Sequence, residues 1–502
     1  MNQSVLHITS VSGGSGPKLY GKPVLTFSKS DFKWPLLFML SMAMLGLNFY
    51  PGLLLTLAAM LNRMRQNPYD FAIMLMMFFH GFGMVNAGSM PVNVHLLGLV
   101  AGAGCCMVLR KPRIMKTTLI VYFIFVAVLM WLSTCSWEAI KVQAFIAARY
   151  FSFIVVFIPL AVFADKGFDI MEMVRHMMVF LVLVCLFYLI DGLILKGHIL
   201  MPDLPSWTAE STFTAPVLKP FSLEPVRMYP QGLYFAAVAL LPAMRLFRLP
   251  AWFWILFITV SLLTKTFTYI LGIALTLLFF QGSMRRIIKI CAATFIPLLL
   301  LYGIDCLLPV EKLETGENST LRLKSSVDQF FDLYNAADDE DIAEFGSGRM
   351  AQAIPKIDLI NRYHKQWTGL GFLHPEKTTS NRFIIVNEYY SDLSSNVEVA
   401  TGVEVVPIQV YLHGGWIGLI AVTAFYVGLY FIIRRLRYSY FYPATLFFCG
   451  FLGLGGFAPL TNMDGIMLVA FSYALVILAN RSTLPGFSPR DKATQPQPLR
   501  IP

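Results

Sequence analysis

Four positively charged or titratable residues stand out because all would lie at or just above the outer membrane surface: Arg227, Lys265, Arg349 and His413. Arg227 lies in SLEPVRMYPQGLYF, just before an apolar run, with Gln231 and Gly232 a turn later. Lys265 stands in SLLTKTFTYILG between Thr264 and Thr266, where a cation is costly unless it reaches water or an anion. Arg349 follows Gly346-Ser347-Gly348, a flexible lead-in to a helix. His413 falls in PIQVYLHGGWIGLI, with Gln409 and Tyr411 beside it and Glu404 a few residues earlier. A histidine, with an ordinary pKa of about 6.5, is well suited to take a proton from a hydroxyl near neutral pH; Glu404 is the alternative base. Three cations and one base together describe a site for an anion. A phosphate or diphosphate on a lipid is the natural candidate, because Arg and Lys neutralise charge on a leaving phosphoryl group. Each residue also has a plainer reading: interface anchor for Arg227, snorkelling for Lys265, loop surface charge for Arg349, satisfied interface residue for His413.

The elements that must position these residues are apolar helices. Of 502 residues, 57% are hydrophobic and 14% charged, and the mean hydropathy is +0.64. Repeated apolar runs of about 17–25 residues are the pattern of bilayer-spanning helices, and they lack the period-2 alternation of a β-barrel. The expected fold is therefore all-α, a polytopic membrane protein with about 12–14 transmembrane helices and one large outer loop. The net charge of +10 comes from basic residues at the ends of apolar runs, as the positive-inside bias requires, and not from a nucleic-acid-binding patch. Positive-inside arithmetic puts both tails, 1–31 and 481–502, in the cytoplasm. It leaves a helix bundle over 32–308 with an outer-face loop at 196–226, a large polar segment at 309–404 on the outer face, and further spans over 405–480.

Two apolar stretches are expected to break into pairs of short helices. One is Phe32–Leu61, near Asn48–Pro51, since proline is tolerated in the first turn of a new helix. The other is Ala251–Phe280, at Thr264-Lys265-Thr266, because thirty residues make roughly 45 Å of helix, too long for one straight span. Within the polar segment, Ser326–Tyr334 and Met350–Gln366 have helical periodicity, the latter with Ile354, Ile357, Ile360 and Tyr363 on one stripe. The acidic run Ala336–Glu344 reads as a solvated loop. Seven scattered cysteines without a CxxC pair, and the absence of Walker, GxGxxG and HExxH patterns, point to no metal, nucleotide or other cofactor.

With these residues in hand, the chain resembles the bacterial O-antigen ligase and O-antigen polymerase superfamily, polytopic inner-membrane glycosyltransferases with a large periplasmic loop between late helices. The resemblance covers Arg227–Gly428. It rests on RMYPQGLYFAAVALLP, an Arg-led helix, and on SLLTKTFTYILGIAL, similar to a Ser-Arg helix start. It rests also on GSGRMAQAIPKIDLINRYHKQWTGLGFLHPE, with Gly369-Leu370-Gly371-Phe372 as its Gly-x-Gly-Phe turn, and on PIQVYLHGGWIGLI, the return into the membrane. Two departures stand out. Thr264-Lys265 replaces Ser-Arg, keeping charge but losing the bidentate fork. The ligase branch places its histidine near the end of the periplasmic loop, whereas His413 lies a few residues into the expected span, with His364 and His374 as the alternative equivalents.

The resemblance implies sugar transfer from an undecaprenyl-diphosphate-linked oligosaccharide without metal or nucleotide sugar. Arg227, Lys265 and Arg349 would bind diphosphate, His413 or Glu404 would act as base, and Gln231, Thr264, Thr266 and Tyr411 would support them. Partners would be a flippase and a chain-length regulator of the same pathway. Polymerisation of repeat units is the first expectation, and ligation to lipid A–core the second. A transporter or flippase would instead distribute polar groups at mid-membrane, whereas these candidates gather on one face.

Overall fold

The computed structural model describes residues 22–46, 50–79, 116–134, 150–163, 169–195, 230–264, 266–281, 357, 360–361, 364–369, 406–454, 460 and 463–481. Among them the chain is all-α, with the isolated Val24–Arg248 bridge as its one β-type pairing. The described helices are α1 (Lys33–Gly46), α2 (Tyr50–Gln66), α3 (Pro68–Phe79), α4 (Lys116–Thr134), α5 (Phe151–Phe163) and α6 (Ile170–Ile190). They continue with α7 (Ala236–Leu246), α8 (Ala251–Leu263), α9 (Phe267–Gln281), α10 (Val406–Ile433), α11 (Phe441–Leu454) and α12 (Met463–Arg481). Two segments, Ile170–Leu195 and Val406–Ile433, are long and apolar enough to cross a membrane by length and composition. Both expected helix breaks occur: α1 and α2 flank the first, α8 and α9 the second. The apolar runs Val92–Leu109 and Ile287–Leu308 lie outside the described residues, as does most of the 309–404 segment.

Helix α4 shows how these elements pack. Thr118, Tyr122, Phe125, Leu129 and Leu132 are buried at alternating spacings of four and three, one stripe of a 3.6-residue repeat. The opposite face is not polar, for Ile120, Phe123, Ile124, Met130 and Trp131 are all exposed. The buried stripe meets α10 in antiparallel fashion. Phe125 stacks on Phe425 with ring centroids 4.4 Å apart, and Leu132 lies against Gly414 and Gly418 nearer the start of α10. Helices α5 and α12 form the other main pair, where Tyr473 packs between Phe153 and Phe157 and its hydroxyl shares a 2.8 Å hydrogen bond with Thr118.

One end of the bundle collects basic residues and matches them. The turn from α2 to α3 is capped by Asn67, whose side-chain oxygen accepts the N–H groups of Tyr69 and Asp70, and Pro68 needs no partner at the first helical position. Arg63 donates two hydrogen bonds to Asp70, at 2.6 and 3.2 Å, while His176 Nδ1 bonds the other carboxylate oxygen. Burial alone would push the Asp70 carboxyl up; His176 and Arg63 outweigh it and hold it below the usual carboxylate range. The Arg63 guanidinium also sits 5.1 Å from the Trp34 ring centroid. Nearby, Lys22 donates to the Met244 carbonyl at 2.7 Å and Arg245 to the Tyr440 hydroxyl at 3.0 Å.

Helix α6 begins at Ile170, earlier than the Met177 at which its apolar run starts. The reason is local: Asp169 accepts the Met171 N–H at 2.8 Å, an N-cap that starts the helix before hydrophobicity does. That extra stretch of helix carries His176 to Asp70.

Candidate functional site

Arg227, Lys265, Arg349 and Glu404 lie outside the described residues, as does His374. The remaining candidates fall into two groups at the end of the bundle opposite the basic cluster. Gln231 opens a 3-10 turn, Gln231–Phe235, that leads into α7. Thr264 and Thr266 sit at the break between α8 and α9, both buried. Their hydroxyls close that break on itself: Thr264 donates to the Ser261 carbonyl at 2.7 Å, and Thr266 to the Thr264 carbonyl at 2.9 Å. Carbonyls that a helix end leaves without partners are thereby satisfied, so the two threonines shape the break rather than reach for a ligand.

Two tyrosines fasten the 3-10 turn. The Gly232 N–H donates to the Tyr188 hydroxyl of α6 at 3.0 Å, and the Tyr269 hydroxyl of α9 donates to the Leu233 carbonyl at 3.1 Å. A Cβ at Gly232 would lie 3.1 Å from the Tyr188 ring, which is why the sequence has glycine there. Tyr269 stands one helical turn beyond Thr266, so the Gln231 turn and the threonine break are held together. Next to them lies Asp191, 1% exposed, at the start of a π turn, Asp191–Leu195, that extends α6. Nothing in the local sequence beyond its charge sets this residue apart. Its signal was an acid within an apolar run, and a π turn commonly marks a functional place in a helix.

The second group is built around a broken helix. Within α10, Gly415 has φ 60 and ψ −157, a backbone conformation open essentially only to glycine. The helical hydrogen-bond pattern is interrupted there, and the stretch from Trp416 onward begins as a new helix with unpartnered N–H groups. The polar segment supplies the missing acceptors. The Gln366 carbonyl accepts the Trp416 N–H at 2.9 Å, and the Trp367 carbonyl accepts the Ile417 N–H at 3.2 Å.

The turn that delivers these carbonyls is itself tightly specified. Ile357, Ile360 and Asn361 are helical, and Ile360 is buried, as the isoleucine stripe predicts. That helix ends at His364, a non-glycine residue with φ 53. The His364 N–H bonds the Asn361 carbonyl at 3.2 Å and the Lys365 N–H bonds the Ile360 carbonyl at 2.9 Å, the paired bonds of a Schellman cap. Gly369, with φ 68, then closes an α-turn onto the Lys365 carbonyl at 2.7 Å. A Cβ on Gly369 would lie 2.6 Å from the backbone at His413 and Gly414, and one on Gly415 would overlap the Trp367 backbone. Two glycines therefore let two backbones touch, and the contact is at the peptide that follows His413.

His413 is half-buried at this joint, and the Tyr411 ring packs edge-on against Trp416 at 5.1 Å. Between the turn and the restarted helix an open cavity of about 440 Å³ is lined by Gln366, Trp367, Trp416 and Ile420. Helix α11 lies between the two groups. Its Phe451 packs at Gly272 of α9, and its Gly453 packs at Val406 of α10. No family model and no curated protein matches this chain. What the described residues bring together, then, is Gln231 with Thr264 and Thr266, and Tyr411 and His413 with the turn 364–369. His364, an alternative to His413 in the sequence reading, has its backbone committed to ending a helix.

Proposed function

We propose that this chain is a polytopic membrane glycosyltransferase that polymerises undecaprenyl-diphosphate-linked saccharide repeat units at the periplasmic face of the bacterial inner membrane. Two kinds of observation support the membrane setting. Helices outside the two long segments are apolar on the exposed side as well as the buried side, as α4 illustrates, and a helix apolar all round belongs inside protein or lipid. Basic residues gather at one end, as the positive-inside bias requires of a cytoplasmic face.

The observation that carries the catalytic part is the docking of turn 364–369 on the Gly415 kink, beside His413. A long polar segment between late spans needs such an attachment to contribute to a site at the outer surface. In the proposed reaction an acceptor hydroxyl attacks the anomeric carbon, and the bond from that carbon to the diphosphate oxygen breaks. His413 takes the hydroxyl proton, with Glu404 as the alternative base. Arg227, Lys265 and Arg349 neutralise the departing diphosphate. One in-line displacement inverts the anomeric centre, and diphosphate departs without an acid to protonate it.

Deletion of the gene with profiling of surface and lipid-linked glycan tests this. Chains shortened to a single repeat unit are the expected result. Full-length polymer stranded on the carrier lipid would assign ligation instead, and unchanged chains in both pools would remove the transferase reading altogether.

A further inference from the structure

The cavity at the kink is more than a gap beside a helix. Its walls are fixed by backbone: the carbonyls of Gln366 and Trp367 are hydrogen-bonded to the restarted helix, and the glycines at 369 and 415 allow no slack. Yet the side chains carried on this rigid frame are held outward, with Trp367 64% and Trp416 48% exposed. Tryptophan is enriched at interfaces, and an indole carried on a backbone already fixed in place costs no backbone ordering when it binds.

The two margins of the cavity differ in chemistry. On one side stands the amide of Gln366, which donates to the Asn361 side-chain oxygen at 3.4 Å. On the other, Ile420 begins an exposed apolar row down α10 that continues through Val427 and Phe431. A hydrocarbon tail would match the row and leave the amide unused. A sugar ring has C–H groups on a face that suits the negative π-surface of an indole, and hydroxyls at its rim that require donors and acceptors when water is displaced. A glutamine amide offers both. At about 440 Å³ the cavity is of ordinary size for a small-molecule site.

We propose that this cleft is a glycan subsite, in which a sugar of the lipid-linked saccharide lies against Trp367 and Trp416 with its hydroxyls on Gln366. The assignment rests on the transferase reading above and adds to it a place for the saccharide, apart from the diphosphate and the base. The polar side of the cleft holds the sugar, and the apolar row leaves the carrier in the lipid.

The test uses the full-length protein in lipid nanodiscs and two probes: the saccharide-diphosphate lipids extracted from the membranes of the native cells, and bare undecaprenyl diphosphate. Affinities are read by native mass spectrometry. Trp367→Ala and Trp416→Ala should each weaken the saccharide-bearing lipids about tenfold, a stacking contribution of ordinary size, and leave the bare lipid unchanged. Trp367→Phe should restore most of the loss. Trp367 is exposed in a turn held by its backbone, so its variants also separate binding from folding, which melting curves monitor. Equal weakening of both probes would assign the cleft to the prenyl tail, and no change in either would make the indoles interfacial anchors; both results overturn the glycan subsite and leave the transferase reading standing. A wild-type protein that retains neither probe would overturn both.

Discussion

The two ends of this bundle are built by opposite means. At the basic end, Asn67 and Asp169 cap helix starts with their side chains, and side chain meets side chain: Arg63 and His176 on the Asp70 carboxylate, Arg245 on the Tyr440 hydroxyl. At the other end almost nothing is regular. The 3-10 turn at Gln231, the π turn at Asp191, the threonine break and the Gly415 kink all fall there, and backbone groups and hydroxyls hold them in place. Irregular backbone at membrane depth is tolerated only where it is buried in protein or lines a cavity. The contrast teaches where to look for function: the matched end supports the fold, and the irregular end holds the cavity a ligand can use.

If that division is sound, damage at the two ends should separate stability from activity. The largest effect is expected at the matched end. Asp70→Ala leaves the buried His176 and the half-buried Arg63 without their carboxylate and should cost about 3 kcal/mol. Melting of the purified protein would fall sharply, while transfer per folded molecule stays near wild type. Gly415→Ala should cost about 2 kcal/mol, from the positive φ and the overlap with Trp367, and should abolish transfer although the protein still inserts. Limited proteolysis around residues 364–369 would show the turn released; an intact turn with full activity would end the idea that docking matters. Tyr269→Phe removes the bond to the Leu233 carbonyl and should cost about 1 kcal/mol, with activity lowered but not lost. Smallest of all, His364→Gly relieves a left-handed residue and should stabilise the turn by less than about 1 kcal/mol with transfer retained. A large loss of transfer in that variant would favour His364 over His413 as the base.

Much of the fold was legible in the sequence because it depends on local pattern. Apolar runs gave the helices, the length of Ala251–Phe280 gave the break at Thr264–Thr266, and the isoleucine spacing gave the helix that buries Ile360. What stayed hidden depends on pairs far apart in the chain. Nothing near Gly415 says that its kink will be capped by carbonyls from Gln366 and Trp367, and nothing near Asp70 names His176. Of the candidate site, His413 and Tyr411 stand out by residue type, and the structure adds the turn that touches the His413–Gly414 peptide. Asp191 was missed because the run around it is so apolar that the acid was averaged away.

The pairing of α5 with α12 has a consequence in time. Tyr473 closes against Phe153, Phe157 and Thr118, yet roughly 300 residues separate the end of α5 from the start of α12. At about 5–20 residues per second, translation of that interval takes roughly 15–60 s. For all of it α4 and α5 wait without the helix that completes their contacts, with the Thr118 hydroxyl still lacking Tyr473. Completion of this bundle is therefore timed by the ribosome, and α4 and α5 receive their last contacts only when α12 is made.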